Sequence, residues 1–189
     1  MKAVFGLGNP GRKYALTRHN VGFNVIDLYR RAHRMRRPGR IQHNCIVYRQ
    51  GGLLLGKPMT YMNESGSAVA GVLRKHGIAP SGALIVYDDL DLPAGRIKIL
   101  AAGGPGSHKG MKSVVDSLGT DAVPRVKVGI EIEGRRVPGE DFVLKPFTKE
   151  QWLRVLPALE RAVEAAAAFA EEDIQAVMTR FNRRDEAGC

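Results

Sequence analysis

The chain has 189 residues, 44% hydrophobic and 25% charged, which suits one globular domain with one core and excludes a disordered chain. Its 29 lysines and arginines outnumber 19 acidic residues, a formal net charge of +10 that favours a polyanionic partner such as nucleic acid. No apolar run reaches the roughly 20 residues of a bilayer span, no secretion signal opens the chain, and Cys45 and Cys189 lack the paired spacing of a zinc site or disulfide framework. The expectation is a cytoplasmic protein with free thiols and no membrane association.

In chain order, a strand is expected over Lys2–Leu7, followed by Gly6-Leu7-Gly8-Asn9-Pro10-Gly11. That segment satisfies the G-x-G-x-x-G expression, but a dinucleotide site needs a helix to open inside the glycine loop. Pro10 removes one amide, and the helical pattern begins only near Gly22. The loop closes on Thr17-Arg18-His19-Asn20, where His19 reads either as an ordinary turn residue or as a base awaiting a partner.

A helix over Gly22–Arg34 follows from the spacing of Val21, Val25, Leu28 and Tyr29. Arg30, Arg31, Arg34, Arg36, Arg37 and Arg40 form a basic run, echoed by Arg180, Arg183 and Arg184. Solvated helix faces give such runs; with the net charge they also favour contact with an RNA backbone. Strands over Cys45–Gln50 and Leu53–Lys57, joined by Gly51-Gly52, read as a hairpin and make the sheet mixed. In the next loop Asn63 either caps the helix expected over Ser65–His76 or offers its amide to a substrate carbonyl or water. Tyr61 and Met62 supply an apolar contact or join the core.

The strand Ala83–Asp88 leads into Tyr87-Asp88-Asp89-Leu90-Asp91-Leu92-Pro93. A carboxylate at a strand end can fix the tautomer of a histidine. The same residues also suit a turn and cap cluster, or a divalent-metal site made by Asp88, Asp89 and Asp91. A strand over Arg96–Leu100 precedes a third Gly-rich loop, which holds Ser107 and His108 and opens a helix over Lys109–Leu118. Its free amides with Lys109 and Lys112 suit phosphate, although solvated lysines give the same pattern. A strand over Arg125–Ile132 and helices over Lys149–Glu171 and Asp173–Arg183 complete the chain, with a Thr148/Gln151 capping box and Pro157 expected to kink or restart the longer helix.

The alternation predicts an α/β fold over residues 1–189: a single domain whose twisted, mixed, mostly parallel sheet is flanked by helices, with a flexible tail from about residue 184. No G-x-S-x-G elbow exists, and Ser65, Ser67 and Ser107 have no base beside them in sequence. For a hydrolase, water activated by His19 is the economical nucleophile.

Taken together, the three loops resemble the bacterial peptidyl-tRNA hydrolase family. The matching segments are Gly6–Gly11 with Tyr14 and Thr17–Phe23, Lys57-Pro58 with Thr60–Asn63 and Ser65-Gly66, Asp88 with Leu90–Pro93 and Gly95, then Arg125–Ile130 and Phe142–Leu144. The resemblance implies hydrolysis of the ester joining a peptide to the 3′ ribose of tRNA by a monomer that needs no metal or cofactor. It implies His19 as general base, Asp88 as its orienting carboxylate, and Asn9 at the position that tells a blocked peptide from a free aminoacyl group. Tyr14, Tyr61, Asn63 and Lys109 fall at substrate-binding positions. The chain departs from the family pattern at Ser107, where glycine is usual, at Lys109, where asparagine is, at Lys127, where a second arginine is, and at Leu100, where lysine is often found. Two other readings remain open: a non-catalytic RNA-binding relative and a metal-dependent phosphoesterase.

Overall fold

Strand β1 (Lys2–Gly6) is buried along nearly its whole length, as an apolar run covered on both faces should be. The computed structural model describes residues 1–132 and 137–183 and sets β1 in the middle of a seven-stranded sheet. The other strands are β2 (Arg40–Gln42), β3 (Cys45–Gln50), β4 (Leu53–Pro58), β5 (Ala83–Pro93), β6 (Ile97–Leu100) and β7 (Arg125–Glu131), in the spatial order β2-β3-β4-β1-β5-β7-β6. The pairings β4–β1, β1–β5 and β5–β7 are parallel, and β2, β3 and β6 join antiparallel. The expected mixed sheet with a parallel core is therefore present.

Side chains alternate between the two faces, so each strand feeds two cores. Val4, Leu55, Leu84 and Val86 pack under α1 (Val21–Ala32), α5 (Lys149–Glu171) and α6 (Ile174–Phe181). Ala3, Phe5, Leu54 and Ile85 pack under α2 (Ser65–His76) and α3 (Lys109–Leu118). A short helix, α4 (Gly139–Val143), precedes α5.

Four features differ from the sequence expectation. Strand β2 was not foreseen: it is an edge strand with Ile41 77% exposed, and its two-residue turn is His43-Asn44, both with positive φ (47° and 55°). Such a turn usually calls for Asn-Gly, so the sequence carries a weak signal. Strand β5 continues past Asp88 to Pro93, with a register shift between Asp89 and Pro93 against β7. Helix α4, five residues long, is too short to show a period. Helix α5 neither ends nor restarts at Pro157, because buried Val155, Ala158, Leu159 and Ala162 hold the turns on either side against the sheet. The capping box of Thr148 and Gln151 is formed. The tail from residue 184, Arg184 included, lies outside the described residues. Among the described residues, no helix is long and apolar enough to cross a membrane.

Candidate active site

The loops that follow β1 and β4, residues 87–91 within β5, the loop before α3 and helix α4 line a cavity of about 560 Å³ at one edge of the parallel sheet. Close backbone packing brings the first loop there. A Cβ on Gly22 would lie 2.4 Å from the backbone of Leu7 and of Val86, and one on Gly6 2.0 Å from the Gly22 carbonyl oxygen. Only glycine lets the start of α1 rest directly on β1 and β5.

His19 sits in the single helical turn before α1. Its neighbour Arg18 is buried over the Phe142 ring at 4.1 Å and donates to the carbonyls of Phe142 (3.3 Å) and Lys145 (3.0 Å) and to Gln151 Oε1 (2.6 Å). This arginine ties the first loop to α4 and to the start of α5. His19 Nδ1 lies 2.8 Å from Asp88 Oδ1. The same oxygen lies 3.0 Å from His108 Nε2, and His108 Nδ1 accepts the backbone N–H of Met111 at 3.1 Å as the N-cap of α3. A nitrogen that accepts carries no proton, so the His108 proton is on Nε2 and is donated to Asp88. With its Nδ1–H given to Asp88, a neutral His19 keeps an unprotonated Nε2 for the cavity that it lines.

Asp88 is 2% exposed. Burial pushes its carboxyl pKa up, but the two imidazoles outweigh this through charge and hydrogen bonding and hold it well below the usual carboxylate range. The group is ionised.

His19, Asp88 and His108 are the only cluster with metal-ligand potential among the described residues. A metal on His108 Nε2 would require the ring proton on Nδ1, where the Met111 N–H already points. This donor set therefore fits hydrogen bonding better than coordination. The metal reading of Asp88, Asp89 and Asp91 is overturned by their placement. Asp89 Oδ2 binds Lys127 Nζ at 2.6 Å, its Oδ1 caps the Asp91 amide at 2.8 Å, and Asp91 is exposed. Burial works against the Lys127 ammonium, yet Asp89 and neighbouring charges raise its pKa.

Asn9 is buried, and its side-chain oxygen accepts the Met62 N–H at 2.8 Å. That bond fixes which way the amide faces, leaving the Nδ2 hydrogens as donors at the cavity wall. Asn20 holds the Asn9 backbone on both sides, accepting its N–H at 2.8 Å and donating to its carbonyl at 3.0 Å. Asn63 does not cap α2; Glu64 occupies that position, and the Asn63 amide lines the cavity with no protein hydrogen bond among the described residues. Tyr14, half-buried beneath Lys13, and exposed Tyr61 complete the rim, while Met62 belongs to the core.

Lys109 also lines the cavity, but its ammonium lies 2.9 Å from Glu140 of α4, both side chains exposed. Lys112 lies outside the cavity, paired with Asp116 one turn along α3. The anion-binding amides expected at this helix start are partly used by the His108 cap.

Four of these residues, Arg18 among them, were given no role by the sequence reading. His108 carried a signal, since it stands directly before a helix, and Asn20 stands beside His19. Arg125 gave none. It is fully buried and donates to the carbonyls of Val123 (3.0 Å), Gly104 (3.1 Å) and Asp121 (2.8 Å), which anchors the third loop.

Residues 3–188 match the family model for peptidyl-tRNA hydrolase. The chain belongs to this family. A peptidyl-tRNA hydrolase from Moorella thermoacetica is 42% identical over 193 aligned positions, covering 95% of this chain and 96% of the relative. One from Symbiobacterium thermophilum is 43% identical, covering 96% and 98%. Among solved structures, peptidyl-tRNA hydrolase from Acinetobacter baumannii superposes with a TM-score of 0.85 at 29% identity, covering 96% of this chain and 94% of that one. A peptidyl-tRNA hydrolase crystallised with n-propanol gives a TM-score of 0.87 at 28% identity, covering 99% and 97%. The family fold is thus shared over nearly all of the described chain.

Proposed function

We propose that this family member hydrolyses the ester between a peptide's C-terminus and the 3′ ribose of tRNA, using water activated by His19. The observation that carries the reading is the shared oxygen of Asp88, which takes a ring N–H from His19 and leaves the other ring nitrogen as a base at the cavity. Water gives its proton to His19 Nε2 as its oxygen bonds to the ester carbonyl carbon. Asp88 stabilises the imidazolium that forms. The oxyanion is met by amide donors at the cavity wall, Asn63 Nδ2 foremost. Collapse expels the ribose oxygen, which takes the proton back from His19, and acid and alcohol leave.

Nothing in this scheme needs a metal or cofactor, and one chain supplies every group. The same reading has a monomer acting in the cytoplasm on tRNA held by basic residues, the +10 charge favouring capture.

The test is release of the acyl group from N-blocked aminoacyl-tRNA beside free aminoacyl-tRNA, with and without EDTA. Rapid cleavage of the blocked substrate alone, insensitive to EDTA and at least ~100-fold slower in His19→Ala, is the expected result. RNA binding without turnover would make the protein a non-catalytic relative. Activity lost to EDTA and restored by Mg²⁺ would sink the water–histidine scheme.

A further inference from the structure

The basic run at the end of α1 takes no part in the site described above. Helix α1 begins two residues after His19, and its 12 residues carry the chain about 18 Å along the sheet, away from the cavity. None of Arg30, Arg31, Arg34, Arg36, Arg37 or Arg40 lines that cavity. Arg30, Arg31, Arg34 and Arg36 instead surround a separate cleft of about 280 Å³. Its one carboxylate, Asp27, lies 2.8 Å from Lys57 Nζ. Arg31, Arg34, Arg36 and Arg37 are exposed and have no carboxylate partner among the described residues. Arg30 stacks over the Tyr48 ring at 3.8 Å, and its buried Nε has no hydrogen-bond partner among the described residues.

The helix dipole favours Arg30 and Arg31 in the last turn, but it does not account for Arg34. Two bonds close α1: Met35 N–H to the Arg30 carbonyl at 2.9 Å, and Arg34 N–H to the Arg31 carbonyl at 3.1 Å. This is the helix-ending motif that sets one residue in the left-handed region, normally glycine. Helix α2 ends through the same pair of bonds, Ile78 to Leu73 and Gly77 to Arg74, with Gly77 at φ 61°. Helix α3 ends on Gly119 at φ 68°. Helix α1 alone of the three puts a side chain there, Arg34 at φ 52°. The local backbone prefers glycine, so the side chain is present at a cost to the fold.

We propose that this arginine cleft is a second nucleic-acid surface, which grips the phosphates of double-helical RNA outside the reacting end. Guanidinium forks match phosphate oxygens in pairs, and unpaired arginines around a cleft present them without first breaking an ion pair. The choice of RNA over another polyanion rests on the proposed function; the existence of the anion surface does not.

The experiment uses the full chain and a labelled RNA duplex of about 20 base pairs that bears no ester, titrated across salt concentrations. Substituting Arg34→Gly, Arg36→Gln and Arg37→Gln together should weaken duplex binding at least ~10-fold at low salt and flatten the log–log salt slope by two to three. Hydrolysis of a short oligonucleotide bearing an N-blocked aminoacyl ester should keep its kcat and KM. Arg34→Gly alone should weaken RNA binding while the melting temperature holds or rises, a combination that a structural role for Arg34 does not give.

Unchanged duplex affinity and salt slope would overturn the proposal. So would a parallel loss of short-substrate hydrolysis, which would assign the cleft to the catalytic site. Tighter binding to phosphatidylglycerol vesicles than to duplex RNA, lost in the triple variant, would overturn the assignment to RNA. If the parent fails to hydrolyse the ester, the proposed function falls while the binding comparison stays readable.

Discussion

His108 and Asp88 meet at 3.0 Å, with the histidine's other ring nitrogen held by the Met111 amide. The Met111 N–H occupies Nδ1, so the arrangement directs the Nε2–H of His108 to Asp88 as a donor. His108→Ala should lower kcat about 10-fold and cost about 1 kcal/mol through the lost helix cap. The positioning role is read from the pH profile. An Asp88 carboxylate relieved of one donor should stabilise the His19 imidazolium more, moving the acid limb of kcat to higher pH. Destabilisation with an unmoved profile would reduce His108 to a cap.

The ionised Asp88 also makes stability depend on pH. Its folded pKa lies below the ordinary 3.8, so its contribution is whole above about pH 4 and is lost as pH falls through the folded value. The difference in urea midpoint between the parent and Asp88→Asn should be constant at neutral pH and shrink below about pH 4. A difference independent of pH in that window would mean that the imidazoles do not hold the carboxylate ionised.

How legible this was in the sequence depends on the range of each signal. The signals for the helix over Ser65–His76 and for the capping box at Thr148 are local, and both elements form as read. The Gly-rich loops announced a site because each follows a strand, and the fold brings His19 and Asp88, 69 residues apart, within hydrogen-bond distance. The bonds of Arg125 and Arg18 to distant carbonyls have no periodicity and stayed invisible. Asn63 read equally well as a cap, and only the geometry of the α2 start separates the two.

Asn9 donates rather than accepts at the cavity, because Met62 occupies its oxygen. Such a donor suits a peptide carbonyl and offers nothing to a free ammonium. Asn9→Asp should raise kcat/KM for free aminoacyl-tRNA relative to the N-blocked substrate, since a carboxylate attracts the ammonium. An unchanged ratio between the two substrates would remove Asn9 from that role.

Arg125 is a buried cation that donates to the backbone carbonyls of Val123, Gly104 and Asp121. Arg125→Leu would strand those acceptors away from water, at a cost of about 3 kcal/mol. The guanidinium chloride midpoint should fall accordingly. Loss of activity should accompany it even under folding conditions, because the Gly104 carbonyl that anchors the third loop is released. A stable, fully active Arg125→Leu would show that the loop holds itself.

Lys109 and Glu140 face each other across the cavity mouth at 2.9 Å, one on α3 and the other on α4. Both side chains are exposed, so the pair should contribute little stability, and neither Lys109→Asn nor Glu140→Gln should shift the melting temperature measurably. Their effects on substrate should have opposite signs. If the ammonium meets an RNA phosphate, it must leave Glu140 first. Lys109→Asn removes the cation and should raise KM, whereas Glu140→Gln frees it and should lower KM, each by a few-fold and less at high salt. Turnover at saturation should be unchanged in both. If both substitutions raise KM, the pair acts as a latch that shapes the mouth. If kcat falls in Lys109→Asn alone, with the salt dependence unaltered, the ammonium serves the reacting ester and not a phosphate.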